Sequence, residues 1–323
     1  MRNAHLPAYH KYGLRVVGVH DISPDALAQV QDKFGIEHVF LDLDEMLANP
    51  DIGIIDIATH PDQRIPLMRK AMAHGKHILA QKPLSLAIAS ASEVIDEASQ
   101  HGLKIAVNQN GRWAPAWRIA TLLIEQGAVG DILSITHLYD VNFGWVPGTG
   151  FDTIPHWAIY DYSVHWFDIT RCWMGDRQVE SVRARDYRTP DQPAHSVAKW
   201  GMWAEITYTN GANAMIRSIG ASTASPAGHP FWIHGTDGII RGSVLGNDHV
   251  ELETKQGVYR YKLDGKWFPD GFAGTMGELM YAIRDNREAY NSAQHNLLSL
   301  KITLAACKSA DEDDRPVTLK EIE

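Results

Sequence analysis

The chain has 323 residues, 45% hydrophobic and 21% charged, with a formal net charge of −9. That length supplies two hydrophobic cores, and an acidic balance without a Lys/Arg cluster excludes a general nucleic-acid or anionic-membrane binder. No apolar run reaches the ~18 residues of a membrane span and no apolar core follows Met1, so the sequence reads as a cytoplasmic protein. Its two cysteines, Cys172 and Cys307, read as reduced thiols rather than a disulfide.

Residues 3–12 read as a helix that Gly13 stops. The β-branched run at 14–19 ends in His20-Asp21, and Ser23-Pro24-Asp25 opens a helix that Gly35 closes. A brief strand at 39–40 and a short helix at 44–48 follow. Residues 52–58 form a near-continuous apolar run, as in a strand covered on both faces. A helix at 61–74, a strand at 76–79, a helix at 85–101 and a strand at 103–107 continue the alternation. Strands alternating with helices of this length imply βαβ units and a right-handed parallel sheet.

After Trp113 the pattern changes. A helix at 114–126 precedes a longer alternating strand at 132–142, a glycine- and proline-rich loop at 144–155 and a helix at 159–174. Residues 179–263 read as strands and tight turns. Asn210-Gly211 between two alternating runs is a strong hairpin signal, and Asp237-Gly238 and Asp264-Gly265 resemble it. Helices at 274–287 and 293–310 close the chain. Antiparallel strands with helices grouped at the ends imply an α+β domain.

Gln81-Lys82-Pro83 places a lysine at the carboxyl end of a parallel strand, where open α/β sheets bind ligands, and the proline fixes its direction. On the helix at 159–174, Asp161, His165, Asp168 and Cys172 share one face, flanked by apolar residues. Such a stripe either lines a pocket or is paired in the interior. Oxidising an alcohol removes a hydride from carbon and a proton from oxygen. His165 suits the proton, Asp161 can orient it or hold a second hydroxyl, and Lys82 can stabilise the developing alkoxide. No side chain accepts a hydride, so a cofactor is required. Asn110 and Arg112 lie at the same carboxyl-end rim, as cofactor or substrate contacts; a structural ion pair is the equal alternative for Arg112. Trp145 and Trp157 are candidates to stack on sugar rings, with ordinary packing as the competing reading.

A doubly wound nucleotide domain begins with a strand and a G-x-G-x-x-G turn. Here the first strand follows a helix and has no such turn before it. Asp21 nevertheless sits where a carboxylate would accept from the adenosine ribose hydroxyls and repel a 2′-phosphate, favouring NAD over NADP; a turn residue is the alternative. The chain thus reads as starting inside the first βα unit, which predicts that Met1 is an internal residue just past a glycine loop. A shortened protein that no longer grips a pyrophosphate is the alternative.

His5-Leu6-Pro7-Ala8, residues 16–21, Phe34-Gly35-Ile36, Asp56-Ile57-Ala58-Thr59, Gly75-Lys76-His77-Ile78, Gln81-Lys82-Pro83-Leu84, Asn110-Gly111-Arg112-Trp113 and Asp161 through His165 to Asp168 occur in specific order and spacing. In these the chain resembles the glucose–fructose oxidoreductase / inositol dehydrogenase / MocA (Gfo/Idh/MocA) family. The resemblance implies an NAD-binding Rossmann-like domain over 1–112, lacking its first strand. It implies a substrate-binding and oligomerisation α+β domain over 113–323, built on an open, mostly antiparallel sheet. It implies NAD-dependent hydride transfer with a sugar, cyclitol or related polyol, with Ala58, Thr59, His60, Pro61 and Gln81 joining Asp21, Lys82, Asn110 and Arg112 at the cofactor. Two departures stand out: the family usually has Glu-Lys-Pro, and relatives often place a histidine near Gln63-Arg64.

Three other readings remain: an NAD-dependent glycoside-cleaving enzyme of the same fold, a non-catalytic sugar-binding remnant, and a metalloenzyme using His156, Asp161 and His165. No further ligand motif supports a metal. The exposed sheet face needs covering, which predicts a homodimer or homotetramer.

Overall fold

The computed structural model describes residues 1–220 and 228–323. The chain divides into two compact units, residues 1–113 with 268–297, and residues 114–267 with 298–323. In chain order the elements are α1 (His5–Lys11), β1 (Gly18–His20), α2 (Pro24–Phe34), β2 (His38–Phe40), α3 (Leu43–Ala48), β3 (Ile54–Ile57), α4 (Pro61–Ala73), β4 (His77–Ala80), α5 (Ile88–Gln100) and β5 (Ile105–Val107). After a 3-10 turn at Asn110–Trp113 come α6 (Pro115–Glu125), β6 (Ile132–Tyr139), α7 (Val164–Met174), β7 (Val179–Tyr187), β8 (Gly201–Tyr208) and β9 (Asn213–Ser218). The remainder is β10 (Pro230–Gly235), β11 (Gly238–Ser243), β12 (His249–Thr254), β13 (Gly257–Lys262), α8 (Asp270–Arg284) and α9 (Ala293–Asp311).

In the first unit every strand pairing is parallel, as the alternating pattern required. The strands form two groups, β1 beside β2, and β3-β4-β5. A doubly wound sheet has a further strand between such groups. No described strand stands there. Residues of β1 and β3 instead line a cavity of about 750 Å³ that includes Val19, His20, Asp21, Ile55 and Asp56. Local signals hold elsewhere: Ser23 Oγ accepts from the Ala26 amide at 3.3 Å, and Gly35 closes α2 with φ 60°.

The core of this unit includes Leu6, Tyr9, Leu79, Ala106, Phe272, Met276 and Leu279, so α1 and α8 both pack on the parallel strands. The sequence pattern reads 113–323 as one C-terminal stretch, and within it residues 268–297 pack with the first unit. Gly274 shows why. A Cβ there would lie 2.3 Å from Cγ of Trp113, so only glycine lets α8 approach the 3-10 turn.

The second unit is built on an eight-stranded sheet in the order β13-β12-β11-β10-β6-β9-β8-β7. It is antiparallel except where β6 and β9 run parallel. The fold class is therefore the expected one, a Rossmann-like parallel unit and a unit with a largely antiparallel sheet. Gly211, with φ 86°, forms the β8–β9 turn at Asn210-Gly211, and Asp237-Gly238 lies at the β10–β11 turn. Asp264-Gly265 follows β13 and leads toward α8 rather than making a hairpin. Cys172 and Cys307 are free thiols.

An aromatic layer lies under this sheet. Trp166 stacks on Tyr139 at 4.2 Å and meets Trp117 edge-on at 5.5 Å. Two histidines are sealed into it: His137 stacks on Trp173 at 5.5 Å, and His229 on Trp166 at 5.9 Å. Their ring nitrogens have no hydrogen-bond partner among the described residues. Burial disfavours the charged imidazolium, lowering His137 to about 3 and His229 to about 4 from an ordinary value near 6.5. The unfolded chain therefore binds the extra protons first. Stability is full above pH ~6.5 and is lost as pH falls from there toward about 4. Thermal unfolding between pH 7 and 4 should show that acid limb. His137→Phe, which keeps the stacking and removes two unmet nitrogens, should flatten it and raise Tm at pH 5 by several degrees, at about 2–4 °C per kcal/mol for a protein of this size. An unchanged acid limb would contradict the assignment.

Candidate active site

Lys82 lies two residues past the end of β4. The Gln81 amide donates to the Ile57 carbonyl at 3.0 Å, extending the β3–β4 pairing by one bond. Lys82 is half-buried, Pro83 is buried, and the peptide between them is cis. The segment is tied from the side by Arg64 of α4, which is 1% exposed. Its guanidinium donates to the Pro83 carbonyl and, at 2.5 Å, to the Thr59 carbonyl. A position noted only as a departure from the family pattern is thus a brace between the loops after β3 and β4.

The other candidates of the first unit take distinct places. Asp21 follows β1 and is exposed, and one oxygen of its carboxylate accepts from the Ser23 amide at 2.9 Å. Ala58, Thr59, His60 and Pro61 run from β3 into α4; Thr59 and His60 are exposed, and Pro61 opens the helix. Asn110 and Arg112 are each 2% exposed. The Asn110 amide donates to the Asn108 carbonyl at 3.3 Å. Arg112 donates to the Tyr290 carbonyl and lies 5.1 Å from the centre of that ring.

These residues fit a nicotinamide dinucleotide in part. Asp21, Thr59 and His60 present polar groups at the carboxyl ends of parallel strands, where such a cofactor lies. The cavity beside β3 also holds an unmet acceptor, since Oδ1 of Asp56 is buried with no hydrogen-bond partner among the described residues. The glycine turn that would cradle a pyrophosphate has no counterpart within residues 1–323.

In the second unit the helix expected over 159–174 is not uniform. Ala158–Tyr162 is a π turn, and α7 begins at Val164. The Ser163 amide reaches back five residues to the Ala158 carbonyl at 3.0 Å, and Tyr139 holds the Ser163 hydroxyl. Such bulges re-aim side chains. Asp161 is on the π turn and His165 on the first turn of α7, 8% and 9% exposed. The His165 ring meets Trp267 edge-on at 5.4 Å. Asp168, lower on the same face, is paired in the interior: Ser299 Oγ donates to it at 2.7 Å and Arg171 lies 3.8 Å away.

Trp157 is fully buried, covered by Phe143 at 4.6 Å and Tyr162 at 5.7 Å, so packing occupies its ring. Trp145 is 50% exposed and keeps a face open to solvent. His156 does not join Asp161 and His165 as a metal ligand, because its two ring nitrogens contact Asp186 at 3.0 Å and Asp311 at 2.9 Å. Among the described residues no group of three or more His, Cys, Asp or Glu is placed to hold a metal ion.

Comparison with known proteins yields two consecutive matches, the second of which includes residues 268–297. Residues 1–109 match the GFO_IDH_MocA profile, described as an oxidoreductase family with an NAD-binding Rossmann fold, and residues 122–319 match that family's C-terminal alpha/beta domain. The chain belongs to the Gfo/Idh/MocA oxidoreductase family. It is 28% identical to a D-apiose dehydrogenase of Paraburkholderia graminis, over 99% of this chain and 87% of that one. For other curated relatives the chain spans less than two thirds of their length; it covers 30% of oxidoreductase YhhX of Escherichia coli, with which it is 32% identical over 32% of this chain. A solved levoglucosan dehydrogenase complex with NADH and levoglucosan has the same fold, with TM-score 0.83 at 22% identity over 98% of this chain and 95% of that one.

Within this Gfo/Idh/MocA framework, sequence reasoning missed three side chains bonded in or next to the Lys82 segment, His5, Asp56 and Arg64. His5 and Asp56 were visible only as parts of family motifs. Arg64 carried one signal, a charge in the first turns of a helix packed against the sheet. Removing it leaves two loop carbonyls without that donor, so Arg64→Met should cost about 2–4 kcal/mol, read as a lowered denaturation midpoint; a wild-type midpoint would dismiss the brace.

His156 links the loop before the π turn to β7 and α9, and its backbone is left-handed, with φ 49°. The hydrogen bond to Asp186, against partial burial, raises its pKa. Burial opposes ionisation of Asp186, yet hydrogen bonds from His156 and Lys199 hold it below the usual carboxylate range. A raised imidazole stabilises fully below the unfolded value near 6.5 and loses that contribution as pH rises through the folded value. The Tm difference between wild type and His156→Asn should therefore be largest near pH 6 and shrink by pH 9; a constant gap would remove the charged tie.

Proposed function

We propose that this chain is a nicotinamide-dependent dehydrogenase or reductase acting on a hydroxyl or ketone of a sugar, cyclitol or related polyol. The carrying observation is a half-buried lysine held at the carboxyl end of a parallel strand by a buried arginine brace, in a chain of this oxidoreductase family. The dehydrogenase names of the relatives, apiose and levoglucosan among them, support the substrate class.

In this reading Lys82, Asp161 and His165 act on one substrate. The cofactor would take the hydride from carbon at C4 of its nicotinamide. The Lys82 ammonium donates to the substrate oxygen and stabilises alkoxide character as the C–H bond weakens. His165 removes the hydroxyl proton, and Asp161 orients it or holds a neighbouring hydroxyl. Trp145 offers a ring face to the sugar. The π turn supports these roles, because a chain that departs from α geometry beneath two polar side chains is aiming them. Asp21, Ala58, Thr59, His60, Pro61, Gln81, Asn110 and Arg112 are the proposed cofactor contacts, with NAD favoured over NADP by the Asp21 carboxylate. The pyrophosphate cradle remains unassigned within this chain.

No helix among the described residues is long and apolar enough to cross a membrane, and we place the protein in the cytoplasm. A homodimer or homotetramer fits the outer face of the eight-stranded sheet, where Met215 is 45% exposed beside Thr136, itself paired with Trp232.

The test is turnover of D-apiose, levoglucosan and myo-inositol with NAD+ and NADP+, for wild type and for Lys82→Ala and His165→Asn. Each substitution should lower kcat by about a hundredfold or more while leaving Tm within about a degree. Unchanged turnover in Lys82→Ala overturns the role given to that lysine.

A further inference from the structure

Beneath the Lys82 loop lies a hydrogen-bonded series that begins at a buried carboxylate. His5 of α1 is 2% exposed, and its Nδ1 is 2.7 Å from Oδ2 of Asp56 on β3. Tyr9, one turn further along α1, donates its hydroxyl to the same oxygen at 2.6 Å. On the other side of the ring, Nε2 of His5 is 3.1 Å from Nε2 of Gln81 and 3.4 Å from Nδ2 of Asn108. Finally, the backbone N–H of Lys82 lies 2.8 Å from Oε1 of Gln81.

The proton positions follow from donor and acceptor rules alone. A backbone N–H can only donate, so the Gln81 atom facing Lys82 is the oxygen, and the NH₂ group faces His5. An amide N–H can only donate, so Nε2 of His5 is the acceptor and carries no proton. A neutral imidazole then has its proton on Nδ1, aimed at the Asp56 carboxylate, which can only accept. The Asn108 amide delivers a second donor to the same lone pair. Every proton in the series runs one way, from the Lys82 peptide to Gln81 and from Gln81 through His5 to Asp56.

We propose that His5, oriented by Asp56, is a positioning residue: it fixes the Gln81 amide, which holds the Lys82 peptide and so the direction in which that lysine leaves the sheet. The proposal rests on the reading of Lys82 as the group that meets the substrate. It also gives the neutral amide at position 81 a purpose. A carboxylate there would accept where the series needs a donor, and a proton would have to reside on Nε2 of His5 as well as on Nδ1. The ring would then carry a positive charge between two carboxylates, buried under the Lys82 loop.

Long-range ¹H–¹⁵N correlation of the histidine rings at neutral pH reads the arrangement directly. Wild type should show His5 as the neutral Nδ1–H form, and Gln81→Glu should convert it to the doubly protonated form. The Nε2–H form in wild type overturns the series, whatever Lys82 does. In turnover, His5→Asn and Gln81→Leu should each lower kcat about tenfold, with the substrate KM little changed, because they disturb orientation and not binding. Gln81→Glu, which keeps size and the bond to the Lys82 peptide, should recover part of that loss. If His5→Asn fails to fold, Gln81→Leu and the spectrum decide. Equal loss in kcat/KM and Tm with no kcat change would mark His5 as structural only. Should the spectrum appear as drawn while Lys82→Ala is silent, the series stands and the proposed function fails.

Discussion

A carboxylate withdrawn from water must be met by donors, or it costs several kcal/mol. Asp56 is such a group, with an 8% exposed side chain on the strand beside the Lys82 loop. Its demand for donors fixes α1, since both the ring of His5 and the hydroxyl of Tyr9 must reach one oxygen. Apolar packing alone would let α1 slide along the sheet, because it is non-directional. Two directional bonds four residues apart remove that freedom. Helix, strand end and the Lys82 loop are thereby tied to one buried carboxylate.

That assembly marks the limit of what the sequence makes legible. The alternation of apolar runs and helices identified the parallel strands, and the place of Lys82 followed from strand order alone. Asp56 offered no such signal. It sits in a run that reads as uniformly buried, and its partners are 47 to 51 residues away. The bonds of Arg64 and Arg112 were hidden for the same reason: each donates to backbone carbonyls, Pro83 and Thr59 in one case and Tyr290 in the other, and carbonyl positions leave no trace in composition. The π turn is invisible because Asp161 and His165 keep helical spacing in the sequence. One extra residue per turn becomes apparent only when Ser163 is seen bonding five residues back.

The second unit shows the complementary case, where pattern reads well and chemistry reads poorly. Asn210-Gly211 between the runs 204–208 and 212–216 marked the β8–β9 hairpin. The same alternation put His137 on the buried face, where it looks like any core residue. What the pattern withholds is that its ring stacks on Trp173 with both nitrogens unmet. A layer of large aromatic faces tolerates an imidazole because stacking and dispersion repay part of the desolvation. It tolerates only the neutral form. The layer under this sheet is thus acid-sensitive, whereas the His156 tie at its margin weakens in base.

The parallel unit also carries the feature that most constrains function. Backbone groups along a strand edge need partners, yet β1 and β3 border a cavity and not a described strand. The site around Lys82 does not depend on that position. Its supports come from α1, β3, α4 and Asn108 just after β5. Orientation of the lysine and the grip on a dinucleotide are therefore separable properties of this sheet. The first is written in side chains that converge on Gln81 and Pro83. The second depends on a glycine turn that these 323 residues do not contain, so a measured cofactor affinity would report on the cavity, and the state of the His5 ring would report on the lysine.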